Sequence, residues 1–193
     1  MKIRCVSLKK KEYQDMYSSV RNYSDADYLP YVNDEKIIAI DPGKAGGITV
    51  YSVTRKKVVG LVTMPETPMD LYGFLKKWFN NSRCYLEKVG GIPGMGASSM
   101  FNFGKGFGHL EMCLLVLKIP TTEVTPQKWQ KVLQLGTKSG QPDRVWKLKL
   151  KTRAQQMFPT VEKDFNIKTQ GDWLSVADSL LIAEYARITE VVK

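Results

Sequence analysis

The sequence predicts an α/β domain with a mixed five-stranded sheet, in which an antiparallel meander is extended by parallel strands and flanked by helices. Short apolar runs over 36–41, 47–53 and 58–64 are separated by turn residues and predict the meander. A helix pattern over 68–79 then leads into a fourth apolar run that ends at Glu87. Because such crossovers are right-handed, this run is expected beside the first one and parallel to it.

The later elements are predicted from apolar periodicity and from helix start and stop residues. Thr125 is a good N-cap with Pro126 at the first helical position, and Gly136 ends that helix. Asp143 is predicted to cap the following helix, and Asp178 is predicted in the first turn of the last one. The predicted elements are a strand over 83–87, a helix over 97–117, a strand over 121–124, and helices over 126–135, 144–158 and 175–192.

The length and composition predict one globular domain, over residues 36–193, preceded by an N-terminal extension over residues 1–35. The chain has 193 residues, of which 43% are hydrophobic, and this is enough to bury a sizeable core. The formal charge is +10, with 29 Lys and Arg against 19 Asp and Glu, and almost all of the excess lies after residue 36. A basic surface of this kind favours a polyanionic partner, and nucleic acid is the first candidate.

The counts of cysteine and histidine exclude several classes of site. Cys5, Cys84 and Cys113 match no metal-binding spacing, and they fit a reducing compartment better than a disulfide framework. The single histidine, His109, excludes His-rich zinc sites. No apolar run is long enough to span a membrane, so we expect a cytoplasmic protein with no membrane partner and no small-molecule cofactor, in a bacterial or phage-infected cell, with organellar and viral settings left open.

Two acidic residues stand at the ends of predicted buried strands. Asp41 follows Ile37-Ile38-Ala39-Ile40, and Glu87 follows Cys84-Tyr85-Leu86. Buried carboxylates are costly unless a cation compensates them, and hard oxygen ligands suit Mg²⁺. With Asp178 from the last helix, the sequence predicts a divalent-metal site, and two ions in such a site can support phosphodiester hydrolysis.

The motifs around these acids resemble those of the RuvC-like Holliday-junction resolvases of the ribonuclease H-like superfamily, with the closest pattern in phage and organellar members. The matching segments are Ile37 to Gly43 with Gly46-Gly47, Tyr85 to Lys88, Val176 to Ala183, and the lysine-rich segment from Trp146 to Pro159. The resemblance spans about residues 36–187 and implies a ribonuclease H-like fold.

This resemblance implies a crossover junction endodeoxyribonuclease, in which a homodimer nicks the two strands of a four-way DNA junction symmetrically in recombination or repair. It implies Asp41, Glu87 and Asp178 as catalytic residues and metal ligands for two Mg²⁺ ions per site, with Mn²⁺ as a substitute. One position departs from the family pattern, because Ser175 stands where members usually carry an acid or a histidine. Asp172 is the nearest upstream acid and is the candidate fourth catalytic residue, while a capping box of Ser175 and Asp178 is the structural alternative.

Two further groups of residues are predicted to contact DNA. A glycine-rich loop and the start of the helix after it carry apolar side chains suited to stacking on opened bases. The helix over 144–158 and the loop before it carry cations suited to phosphates. The predicted DNA-binding residues are Met95, Phe101, Phe103, Lys105, Lys138, Lys147, Lys149, Lys151 and Arg153.

Three other functions remain possible from the sequence. A nuclease of the same fold could act on flaps, forks or RNA–DNA hybrids. A junction-binding protein without cleavage would account for Ser175 and the displaced Asp172. An actin-like phosphotransferase is disfavoured, because such enzymes need two copies of the domain and this chain has room for one.

Overall fold

The computed structural model describes residue 31 and the ranges 33–91 and 94–191. The predicted N-terminal extension lies almost wholly outside the described residues, as do Ile92 and Pro93 of the glycine-rich loop. The extension therefore stays a prediction. In the described part of the chain, no helix is both long and apolar enough to cross a membrane.

The core of the fold is a five-stranded sheet in the order β3-β2-β1-β4-β5. The meander pairs β1 with β2 and β2 with β3 in antiparallel fashion, whereas β1 with β4 and β4 with β5 are parallel pairs. This arrangement confirms the predicted mixed sheet and places the Glu87 strand beside the Asp41 strand. The strands are β1 (Lys36–Asp41), β2 (Gly47–Ser52), β3 (Lys57–Thr63), β4 (Ser82–Glu87) and β5 (Thr121–Val124).

Six helices flank the sheet in the described residues. They are α1 (Pro68–Trp78), α2 (Ala97–Val116), α3 (Pro126–Val132), α4 (Asp143–Met157), α5 (Val161–Asp164) and α6 (Gln170–Val191). Helices α1 and α2 share one apolar core with one face of the sheet. Helices α3, α4 and α6 share a second core with the opposite face.

The period-2 alternation of strands decides which side chains enter which core. In β1, Ile38 and Ile40 belong to the α1/α2 core, whereas Ile37 and Ala39 belong to the α3/α4/α6 core. Each of these four side chains is fully buried. By the same alternation Asp41 is on the side of α3, α4 and α6.

The opposite end of β1 is closed by a buried polar cluster. The Lys36 ammonium donates to the carbonyl oxygens of Tyr31 and Asp34 at 2.8 and 2.6 Å. The Asp34 carboxylate in turn accepts from the Ser52 hydroxyl and from the Arg55 Nε, each at 2.8 Å. These bonds satisfy the polar groups that the sheet buries at this end.

Two helix starts differ from the prediction. Helix α6 begins at Gln170 rather than at 175, so Asp178 lies in its third turn and not in its first. The capping box is formed by Thr169 and Asp172, each backbone N–H donating to the other side chain at 3.1 Å. The sequence contained this signal, but the apolar pattern of the helix is continuous enough from 176 onward to obscure it.

Two other boundaries also differ. Asp143 is the first residue of α4 rather than its cap, because Pro142 is the N-cap and the Asp143 carboxylate pairs with Lys138 at 2.7 Å. Helix α3 ends at Val132, three residues before the predicted end. Gln134 takes a left-handed conformation with φ of 55°, so the chain turns before it reaches Gly136.

Candidate active site

Strands β1 and β4 bring Asp41 and Glu87 to the same edge of the sheet. Their parallel register pairs Ile40 with Leu86, and each of these residues is followed directly by an acid. Leu86 and Cys84 are in the α1/α2 core, so alternation places Glu87, like Asp41, on the opposite face of the sheet. Two carboxylates therefore stand side by side on the face that α6 covers.

Helix α6 supplies the third carboxylate, and two contacts with β2 fix its position. The buried hydroxyls of Thr49 and Ser179 are 2.8 Å apart and form a hydrogen bond between the strand and the helix. Gly47 allows a close approach, because a Cβ there would lie 2.8 Å from the Ser175 carbonyl oxygen and 3.2 Å from Val176. Asp178, next to Ser179, is thereby held over the end of β1.

Gly46 packs against the first carboxylate itself. A Cβ at this position would clash with the Asp41 carbonyl oxygen and lie 2.9 Å from the carboxyl carbon of Asp41. The turn from β1 to β2 is closed by the Gly46 N–H, which donates to the Gly43 carbonyl at 2.9 Å. Glycine at 46 therefore leaves space for the Asp41 side chain.

The three carboxylates are half-buried and repel one another. Desolvation, opposed by the charge of Lys147, raises the pKa of Asp41 to about 6. Desolvation and the charge of Asp41 raise the pKa of Asp178 to about 7. Desolvation and the charges of Asp41 and Asp178 raise the pKa of Glu87 to about 8, although a hydrogen bond from Trp129 lowers it in part. All three groups are thus destabilised as anions in the absence of a cation.

Among the described residues, Lys147 of α4 is the cation whose charge acts on two of these acids. Its charge lowers the pKa of both Asp41 and Asp178, although desolvation outweighs it. The lysine side chain is exposed, so it is available to a bound anion as well. The prediction that Lys147 contacts a phosphate places that phosphate beside the acids.

The acids fit a divalent cation by their chemistry. Three carboxylates on two strands and one helix form a hard-oxygen set with excess negative charge, which Mg²⁺ and Mn²⁺ favour. Within the described ranges, however, no three acidic, histidine or cysteine side chains are arranged to hold an ion as they stand. Asp41, Glu87 and Asp178 are the residues that would hold an ion, once their carboxylates had changed rotamer.

Asp172 has a different structural setting from these three acids. Its carboxylate accepts the Thr169 N–H in the capping box at the start of α6, six residues before Asp178. Ser175 likewise bonds within the helix, donating to the Gly171 carbonyl at 3.1 Å. A catalytic role for Asp172 stays a prediction, and it would require the carboxylate to leave the cap.

One residue of the site was not predicted from the sequence. The Trp129 indole N–H of α3 donates to Glu87 Oε1 at 3.0 Å, and the Trp129 side chain is fully buried. A tryptophan in an amphipathic helix pattern is ordinarily assigned to the core, so its polar atom gave no separate signal. Its position five residues after the end of β5 is the only feature that could have suggested it.

The predicted DNA-binding residues lie in two regions. On α2 and just before it, Phe101 is 72% exposed and Lys105 is exposed, while Met95 and Phe103 are half-buried. On and before α4, Lys138 pairs with Asp143, and the Lys149 ammonium lies 5.4 Å from the centre of the Trp146 ring. Arg153 is exposed and bonds Gln156, and Lys151 is half-buried. Their contacts with DNA stay predictions.

Solved structures with the same architecture were found, although no protein-family model and no curated protein sequence matches the chain. RuvC of T. thermophilus in complex with a Holliday junction substrate superposes with a TM-score of 0.54 at 14% identity, over 81% of this chain and 95% of that one. The chain has a RuvC-like fold. A second Thermus thermophilus RuvC structure matches with the same TM-score at 15% identity, over 81% of this chain and 96% of that one.

The RuvC-like fold agrees with the fold implied by the short motifs around the three acids. At this level of identity the similarity concerns the fold, so the chemistry of the site is argued from its own residues. Those residues are the carboxylates at the ends of β1 and β4 and in α6, together with Lys147 and Trp129.

Proposed function

We propose that the protein is a Mg²⁺-dependent endonuclease that resolves four-way DNA junctions by paired symmetric nicks. The observation that carries the proposal is the convergence of Asp41, Glu87 and Asp178 on one edge of a RuvC-like sheet. The net charge of +10 and the cations of α4 support a nucleic-acid substrate. A RuvC bound to a Holliday junction among the similar structures supports a branched substrate.

The acids and Lys147 have different roles in the proposed phosphodiester hydrolysis. Divalent ions in such a site activate the attacking water and neutralise charge on the phosphate and the leaving oxygen. Asp41, Glu87 and Asp178 would hold the ions, and deprotonation of the three carboxylates accompanies binding. Lys147 is exposed and adds a positive charge near Asp41 and Asp178, where it can orient the phosphate.

The decisive experiment compares an end-labelled four-way junction with flaps, forks, an RNA–DNA hybrid and linear duplex of the same sequence. With Mg²⁺ we expect paired nicks at symmetric positions on the junction and no cleavage of the duplex. With Ca²⁺ or chelator we expect binding without nicks. Preferred cleavage of a flap, fork or hybrid would show that the protein is a nuclease of the same fold with a different substrate. Junction binding without any cleavage in Mg²⁺ or Mn²⁺ would show that it is a junction-binding protein without nuclease activity.

Replacement of Lys147 by alanine is expected to weaken junction binding in Ca²⁺ by several-fold and to reduce the salt dependence. Each phosphate contact contributes about −0.9 to the slope of log K against log salt, so the slope should become shallower by about one. Fluorescence anisotropy from 50 to 300 mM salt measures both quantities.

Lys56 provides the matched control for this experiment. It is an exposed lysine in the turn from β2 to β3, at the end of the strands away from the acids. Lys56→Ala removes the same charge and should leave the slope unchanged. An unchanged slope in Lys147→Ala would show that Lys147 makes no phosphate contact.

We also propose a homodimer, because symmetric nicking of a two-fold substrate needs two sites related by a two-fold axis. Helix α2 offers the surface for it. Met112, Leu115 and Val116 form an exposed apolar stripe at helical spacing, with 57, 71 and 58% of their surfaces exposed. Single exposed apolar residues are ordinary, but a stripe of three on one helix is typical of an interface.

Leu115→Glu is expected to convert the dimer into a monomer at micromolar concentration, because it buries a charge at the proposed interface. Sedimentation velocity measures this directly. Val145→Glu on α4 is the control, since Val145 is also an exposed apolar residue at 52% and lies on a different helix. A dimer that survives Leu115→Glu would place the interface elsewhere.

A further inference from the structure

We infer that Trp129 is a positioning residue for Glu87, which fixes Oε1 of the carboxylate and leaves Oε2 as the oxygen available to a divalent cation. The juxtaposition is a single hydrogen bond of 3.0 Å from a fully buried indole to an acid at the site. This inference deepens the proposed function, because it rests on Glu87 as a metal ligand.

The backbone around Trp129 brings this residue close to Glu87. Glu87 faces Val124 across β4 and β5, and the Lys88 N–H bonds the Val124 carbonyl at 2.7 Å. Helix α3 follows directly, with Thr125 as its N-cap and Pro126 as its first residue. The backbone N–H of Trp129 donates to the Thr125 carbonyl at 3.3 Å. Trp129 is the fifth residue after Val124, the register partner of Glu87, so the helix that carries the indole begins beside Glu87.

The bond is not simply what any buried tryptophan in this fold requires. Trp173 of α6 is also buried, with 4% of its surface exposed, and its indole nitrogen has no hydrogen-bond partner among the described residues. Both rings belong to the same apolar core. A buried indole in this fold therefore does not need a hydrogen-bond partner. The bond from Trp129 to Glu87 is to be explained by its effect on Glu87.

The chemistry of the indole defines that consequence. An indole nitrogen donates and cannot accept, so its bond to Oε1 is strongest when the carboxylate is ionised. The bond stabilises the charged carboxylate and so lowers the pKa of Glu87, whereas desolvation raises it. A lower pKa favours cation binding, because the cation binds the deprotonated carboxylate. A partner that holds one oxygen of a ligand also limits its rotamers, and such outer contacts commonly change metal affinity 10–100-fold when they are removed.

Trp129→Phe and Trp173→Phe form a matched pair for the test. Both remove an indole from the same core, but only the first removes a hydrogen bond. Calorimetric titration of the DNA-free protein with Mn²⁺ should show about tenfold weaker binding in Trp129→Phe and unchanged binding in Trp173→Phe. Equal affinities in the two variants, or no Mn²⁺ binding by the wild type, would overturn the inference.

A second measurement detects the hydrogen bond itself, without metal and without relying on the stability of Trp129→Phe. In protein labelled with ¹⁵N-tryptophan, Glu87→Gln should move the indole resonance of Trp129 upfield and leave that of Trp173 in place. An unmoved Trp129 resonance would overturn the inference. If the Mn²⁺ and resonance results hold but junctions are not cut, the proposed function fails and the positioning role stands.

Discussion

Asp41→Asn is expected to reduce junction cleavage by about 10³-fold or more while junction affinity in Ca²⁺ stays within a few-fold. The carboxylate is held at the end of β1, next to Glu87 and below Asp178, and asparagine keeps its size but removes the charge that binds a cation. Loss of several kcal/mol of charge stabilisation in the transition state gives an effect of this size, since each tenfold in rate is about 1.4 kcal/mol. Single-turnover cleavage with saturating enzyme measures it.

Asp164→Asn is the control for this substitution. It removes an exposed acid at the end of the short helix α5 and should leave the cleavage rate unchanged. Asp178→Asn and Glu87→Gln should resemble Asp41→Asn if the three acids act as a unit. Turnover by Asp41→Asn at near the wild-type rate would remove Asp41 from the proposed metal site.

The stability of the metal-free protein is expected to fall as the pH rises from about 4 to about 8. Asp41, Asp178 and Glu87 have folded-state pKa values of about 6, 7 and 8, all above the value near 4 of an unfolded chain. In this window the folded state holds more protons than the unfolded state, so raising the pH favours unfolding. Saturating Mn²⁺ at pH 8 should restore the lost stability, because it binds the deprotonated acids of the folded state.

Thermal unfolding of the wild type and of Asp178→Asn at pH 5 and pH 8.5 in chelator isolates this effect. The two proteins differ in their free energy of unfolding, and this difference should change by about 1–3 kcal/mol between pH 5 and pH 8.5. The figure allows for solvent screening and for repulsion that the three acids share. That corresponds to roughly 3–8 °C in Tm for a domain of this size, with the variant the more stable at pH 8.5. Parallel pH profiles of Tm for the two proteins would show that Asp178 has an ordinary pKa.

The sheet and the sites of its acids were predictable because strand signals are local and topology rules are strict. Apolar runs and turn residues predicted every strand to within a residue at either end, and the crossover rule placed β4 next to β1. The adjacent ends of these strands then required Asp41 and Glu87 to be neighbours. No knowledge of the packing was needed for that step.

Helix starts and side-chain partners were less predictable, because they depend on tertiary contacts. The start of α6 was predicted five residues late, since two capping boxes compete in the sequence and the contact of Gly47 with the Ser175 carbonyl has no local signature. The bond from Trp129 to Glu87 joins residues 42 positions apart. A core tryptophan and a tryptophan that holds an acid have the same sequence pattern.

The acids are carried by β1 and β4, two adjacent interior strands of the sheet, and by the middle of the long helix α6. The strand residues before Asp41 and the helix residues around Asp178 are almost all fully buried. Amide protons at such positions exchange with solvent only when the whole domain unfolds. We therefore expect the slowest-exchanging amides of the chain to include Ile38, Ile40 and Leu181, so that the acids share the lifetime of the native state and cannot be released by local fraying.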